Sequence, residues 1–164
     1  MLLRILLEVL AAALIALALR HWAFLLVFVK GHSMMDTLRN GELLFALRRH
    51  RNRPIGRFDV VLCRYPKRRE LFVKRVIGLP GELLSMSDDT VFIDGEPLQE
   101  SFPKRRCMRR IEEIRLADNE YFVMGDNRPV SRDSRSRAVG PIPKEKIVAV
   151  VRCVVFPPGH IRKI

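Results

Sequence analysis

Two stretches of the sequence carry side chains that could act together on an amide bond. The first is KGHSMMDTL, Lys30 to Leu38, which sets Ser33 between His32 and the pair Met34-Met35. The second is LFVKRVIGLPGE, Leu71 to Glu82, in which Lys74 stands inside an apolar run. A serine hydroxyl needs a base before it can attack a carbonyl. His32 is badly placed for that work, because adjacent side chains in an extended segment point to opposite faces. His21, His50 and His160 lie in the apolar N-terminal run, in a basic loop and at the tail, so a Ser-His-Asp set is not expected. Period-2 alternation instead puts Phe72, Lys74 and Val76 on one strand face, and Leu71, Val73, Arg75 and Ile77 on the other. Apolar neighbours disfavour the ammonium and lower its pKa. A fall of about three pH units, about 4 kcal/mol, would make Lys74 a base near neutral pH. Arg75 could not serve, since guanidinium does not deprotonate. The spacing alone also fits a Lys74 that snorkels from an edge strand.

A third stretch, GDNRPVSRDSR from Gly125 to Arg135, is dense in Gly, Asx and Ser and follows a strand-like run, so it is expected to be a loop. It reads either as a solvated turn or as a buttress in which Asp133 pairs with an arginine and a serine orients another side chain.

These residues need a scaffold. After Val29 the chain alternates short β-type runs with turn signals. The runs are Glu42 to Leu47, Phe58 to Tyr65, Glu70 to Gly78, Thr90 to Gly95, Asn119 to Gly125 and Lys146 to Phe156. Only Arg109 to Ala117 hints at a helix in this body. The expected fold is mainly β, a sandwich or barrel, behind a single N-terminal transmembrane helix. That helix comes from the apolar run Leu2 to Leu19, continued by RHWAFLLVFV. Its charge-free part, Val9 to Leu19, is only 11 residues and also suits the core of a cleaved signal peptide. We favour a retained anchor over residues 1–22, with Arg4 and Glu8 near one interface, Arg20 snorkelling to the other and Trp22 at the boundary. Residues 23–164 then form an extracytoplasmic catalytic domain, with a short basic cap segment around 100–118.

Within 164 residues, 30 Lys and Arg face 18 acids, a net charge of +12 that favours anionic partners. Arginines outnumber lysines 23 to 7, so a lysine in an apolar setting stands out. Cys63, Cys107 and Cys153 are too far apart for a metal set or an obvious disulfide framework. No metal or cofactor is expected. The basic run KRRCMRR, Lys104 to Arg110, has little aromatic interleaving, so membrane phospholipid is the expected partner and nucleic acid is not.

Taken together, GHSMMDTL, KRVIGLPGE with VFIDG following, and GDNRPVSRDSR resemble type I signal peptidases, the membrane-bound Ser-Lys proteases of bacteria. The motifs stand in that family's order and span nearly the whole chain. The resemblance implies Ser33 as nucleophile, Lys74 as general base and Ser131 as a hydrogen-bond partner of the Lys74 amine. It further implies an Asp133–Arg135 ion pair beside the site, Asp126, Asn127 and Arg128 in its wall, and Met34 and Gly31 at the substrate pocket. The substrates would be signal peptides of exported preproteins, cleaved after small residues of Ala-X-Ala type at the outer face of the bacterial cytoplasmic membrane. The N-terminus would be cytoplasmic. Two departures stand out. Asp36 occupies a position where the family commonly has proline, and SRAV, Ser136 to Val139, replaces an aromatic pair before Gly140. Two other readings compete. A self-cleaving Ser-Lys repressor would carry a DNA-binding helix-turn-helix where this chain has an apolar run. A catalytically impaired, membrane-tethered basic module would be favoured only by Asp36.

Overall fold

The computed structural model describes residues 1–49 and 54–164, without the side chains of residues 2, 3, 16 and 18–22. Helix α1 (Leu2–Trp22) comes first, then β1 (Phe24–Phe28), β2 (Leu43–Arg48), β3 (Val60–Arg64), β4 (Leu71–Gly78), β5 (Leu83–Ser87) and β6 (Thr90–Ile93). They are followed by β7 (Glu96–Pro97), β8 (Ile111–Arg115), β9 (Glu120–Met124), β10 (Ile142–Pro143), β11 (Ile147–Phe156) and β12 (Arg162–Lys163). Among the described residues no helix is long and apolar enough to cross a membrane. The side chains of Arg20, His21 and Trp22, and all of His50, lie outside the described residues.

The large sheet runs β1-β2-β11-β3-β4-β9-β10, with β12 beside β11, and each of these neighbouring pairs is antiparallel. The expected mainly β body is therefore present. Alternation along β3 explains its two-sided burial. Val61 and Cys63 join Val76 and Val123 in one core, while Val60 and Leu62 join Leu44 and Val151 in another. Phe72 and Val76 share the first core, as the period-2 pattern of β4 requires. Lys74 lies opposite Val61 in the β3–β4 register and takes the same face. Each fully buried aliphatic side chain there contributes about 1.5–3 kcal/mol of transfer free energy.

A second sheet, β7-β6-β5-β8, packs a third core of Ile77, Leu84, Met86, Val91, Leu116, Phe122 and Met124. It corrects the expectation for Arg109 to Ala117, which contains a strand and not a helix. Ile111 and Ile114 have helical i, i+3 spacing. A register shift pairs them with Met86 and Leu84, so a bulge brings both isoleucines toward the third core. Besides the two-residue strands β7, β10 and β12, two further five-residue strands are not marked by the sequence runs. Phe24–Phe28 is apolar whether it extends a helix or forms an edge strand, and LLSMS at β5 is short and weakly patterned.

Candidate active site

Lys74 is only 3% exposed, and its Nζ lies 2.7 Å from Ser33 Oγ. The amine also donates to Val73 O at 2.8 Å. β4 delivers the lysine from the first core, and the turn after β1 delivers the serine. The snorkelling alternative is thereby ruled out, since Lys74 is buried rather than reaching solvent. Burial holds Lys74 below the ordinary lysine value, opposed by the carboxylates of Asp133 and Asp126. Burial also pushes the neighbouring Cys63 thiol up to about 12, so it is neutral at physiological pH.

The Ser33 turn is fixed from behind. Leu38 N donates to Met34 O at 2.8 Å and Met35 N to His32 O at 3.2 Å. Asn127 clamps the same backbone twice, through its amide N to Ser33 O at 3.1 Å and its Nδ2 to His32 O at 3.0 Å. The His32 carbonyl belongs to the peptide that carries the Ser33 N–H. In a trans peptide the two groups point oppositely, so holding the carbonyl aims the N–H at the other side. That N–H has no partner among the described residues and suits a developing oxyanion. Gly31 sits at a φ of +96°, a backbone region that favours glycine, and its N–H is occupied by Asn40 Oδ1 at 2.8 Å.

Three ion pairs buttress this turn. Arg75, on the opposite face of β4 from Lys74, binds buried Asp126 through Nε at 2.9 Å and Nη2 at 2.7 Å. Thr37 Oγ1 donates to the same carboxylate at 2.5 Å, which ties the serine turn to the pair. Arg135 holds Asp133 at 2.8 Å; burial alone would raise the Asp133 pKa, but Arg135 and the Gly125 N–H hold it below the ordinary aspartate value. Arg128 pairs with buried Glu100, which also takes Lys104. Phe102 lies beneath Arg75, 4.1 Å from its guanidinium carbon, with Arg128 at 5.9 Å. Thr37, Glu100 and Phe102 were not identified from sequence. Their partners lie far along the chain, and no local pattern marks them.

Ser131 stands apart from its expected partner. Its Oγ is buried without a hydrogen bond among the described residues, and Lys74 bonds to Ser33 and Val73 instead. It presses on Gly125, where an added Cβ would sit 2.3 Å from Ser131 Oγ and 2.4 Å from Ser33 O. Gly125→Ala is therefore expected to cost about 1–3 kcal/mol of stability. By displacing Ser33 it should lower kcat by about 100-fold. Melting curves and steady-state kinetics read both effects, and an unchanged kcat would mean that this contact does not set the position of Ser33.

A groove of about 920 Å³ leads to the pair. Leu26 to Gly31 form one wall and Leu71 to Lys74 another, with Met34, Tyr65, Ala138 and Val139 between them. The sheet curls enough for its β1 edge to face β4 across this space. Met34 lines the groove, and Ala138 and Val139 of the SRAV segment do so too. Tyr65 stacks on Phe72 with centroids 4.1 Å apart, and its hydroxyl donates to Arg132 O at 2.8 Å. Asp36 does not fold back on its own backbone. Its exposed carboxylate faces Arg105 on the cap at 3.2 Å.

Residues 2–156 match the family model described as signal peptidase, peptidase S26. The chain belongs to the signal peptidase family. It is 34% identical to signal peptidase I of Bacillus licheniformis, over 94% of this chain and 89% of that one. It is likewise 34% identical to signal peptidase I T of Bacillus subtilis, covering 93% and 84% of the two chains. The crystal structure of a signal peptidase I from Enterococcus faecalis superposes with a TM-score of 0.52 at 28% identity, covering 60% of this chain and 97% of that one. As a signal peptidase I, a serine endopeptidase, the protein removes signal peptides from exported proteins.

Proposed function

We propose that this signal peptidase cleaves with Ser33 as nucleophile and Lys74 as general base. The observation that carries the assignment is the 2.7 Å approach of a buried Lys74 amine to the serine hydroxyl. The neutral amine keeps one N–H on Val73 O and turns its lone pair toward Ser33 Oγ–H. It takes that proton as Oγ bonds to the scissile carbonyl carbon, and the oxyanion meets the Ser33 N–H. Lys74 returns the proton to the leaving amine as the C–N bond breaks, leaving an acyl-enzyme. It then takes a proton from water as the water oxygen attacks the ester carbon, and returns that proton to Ser33 Oγ as the C–Oγ bond breaks, releasing the carboxylic acid and restoring the dyad. The substrate lies extended in the groove as an added strand, with small side chains of an Ala-X-Ala segment against the apolar wall. Asp126, Asn127, Arg128, Ser131, Asp133 and Arg135 are positioning residues, and Met34 and Gly31 border the pocket.

We assign residues 1–22 as the membrane tether and 23–164 as the catalytic domain on the extracytoplasmic face. Support comes from α1, whose Ile5, Leu6, Leu7, Val9, Leu10, Leu14, Ile15 and Leu17 are all more than half exposed. A helix that exposes apolar side chains all round suits lipid better than water.

The test is a pH profile of preprotein cleavage by the purified full chain in detergent. Because burial lowers the Lys74 pKa, kcat/KM should rise with pH and level off below the ordinary value of 10.5. A flat profile would remove Lys74 as the base. A wild-type enzyme inert on every preprotein tried would favour the impaired-module reading.

A further inference from the structure

We propose that the rim of the large sheet beside the end of α1 is a docking collar for phospholipids with net negative headgroups. The observation is how the strand register sorts the protein's cations. Arg48 N donates to Ala23 O at 2.9 Å, just past the helix, and Arg49 N donates to Val148 O at 3.0 Å. Ile147 is level with Cys63, and Arg64 with Leu71. One edge of the sheet thus continues from the helix exit across β2, β11 and the β3–β4 hairpin. Four strand spacings from β1 to β4 make it about 19 Å long measured along the curl of the sheet.

That edge carries Arg49, Arg64, Lys67, Arg68, Arg69 and Lys146, all exposed except the half-buried Arg49. The carboxylates on it are Glu70 and Glu145, both exposed. None of the six cations forms an ion pair with a described residue. The cap differs. Lys104 pairs with Glu100 and Asp89, Arg105 with Asp36, and Arg106 with Asp89. The stretch most conspicuous in the sequence is thus partly neutralised, although Arg109 and Arg110 on it are exposed and form no ion pair among the described residues. The rim is set apart by its unpaired cations standing beside the helix end. A polyanion of any kind could attract such a rim. A bilayer is favoured because the rim is continuous with the helix end, which a membrane-held chain must present to headgroups. Arg68 also lines the substrate groove, so a docked collar holds the groove mouth at the bilayer surface.

The inference rests on the tether reading of α1, and its test separates the two. The full chain is reconstituted into zwitterionic vesicles and into vesicles with about 30 mol % anionic lipid, and hydrogen exchange is followed over residues 65–70. Anionic lipid should slow exchange there by about tenfold or more, since each surface cation contributes about fivefold in affinity. Salt at about 0.5 M should abolish the protection. Arg64→Gln/Lys67→Gln/Arg69→Gln should remove it, and Arg106→Gln/Arg109→Gln/Arg110→Gln should leave it intact. Equal exchange in both lipids, with the chain still resistant to alkaline extraction, would overturn the collar and leave the tether standing. Release by alkaline extraction would overturn the tether. Equal protection of 65–70 by a short oligonucleotide would make the rim a general polyanion site and overturn its assignment to lipid.

Discussion

Lys74→Met will abolish preprotein cleavage and raise the melting temperature. The first effect follows from the loss of the base, and removing the base of such a catalytic unit lowers turnover by about 10⁶-fold. Ser33→Ala should fall to the same floor, because nucleophile and base act as a unit and their losses do not add. The second effect follows from burial. Lys74 titrates at the ordinary value of 10.5 in the unfolded chain and lower in the folded one. Between those values the unfolded state binds more protons, so stability rises with pH and the lysine is a burden at neutral pH. Methionine has a similar unbranched shape and no charge to desolvate. The melting-temperature gap between variant and wild type should be present at pH 7 and close as the pH passes 10.5. A variant that melts below wild type at pH 7 would mean that the hydrogen bonds to Val73 and Ser33 outweigh the desolvation, and turnover near wild type would end the dyad assignment.

Asp126→Ala will strongly destabilise the fold. It strands the Arg75 guanidinium, whose side chain is 8% exposed, and removes the acceptor of Thr37. Breaking one side of a buried pair costs about 3–5 kcal/mol. For a chain of this size that lowers the melting temperature by about 10 °C. Removing both charges together, in Arg75→Met/Asp126→Leu, should recover much of the loss, because the stranded charge and not the missing attraction dominates. Differential scanning calorimetry of the three variants decides it. A double variant no better than Asp126→Ala would place the cost in the lost Thr37 contact instead.

The strands that build the site were legible because their faces differ. Lys74 could be placed among Phe72 and Val76 from alternation alone, but that spacing also fits a snorkelling lysine, and its burial depends on β4 lying between β3 and β9 rather than at an edge. What stayed hidden depends on contacts distant in sequence. Asp36 looked like a substitute for a turn-forming proline, yet its partner Arg105 lies 69 positions away. Thr37 meets Asp126 across 89 positions, and Arg128 meets Glu100 across 28. The isoleucines of β8 were misread for a local reason, since a bulge gives a strand the spacing of a helix. Ser131 shows the reverse case: the motif containing it was recognised, but its hydroxyl does not reach the amine.

One dimension of the groove has a meaning of its own. Lys74 stands three residues into β4 from Leu71, the residue level with Arg64 at the rim. At about 3.3 Å per residue, that sets the base about 10 Å above the groove mouth. An extended chain lying along β4 spends about three residues crossing this depth. On the proposed substrate path, a chain lying along β4 therefore meets Ser33 and Lys74 about three residues in from the rim.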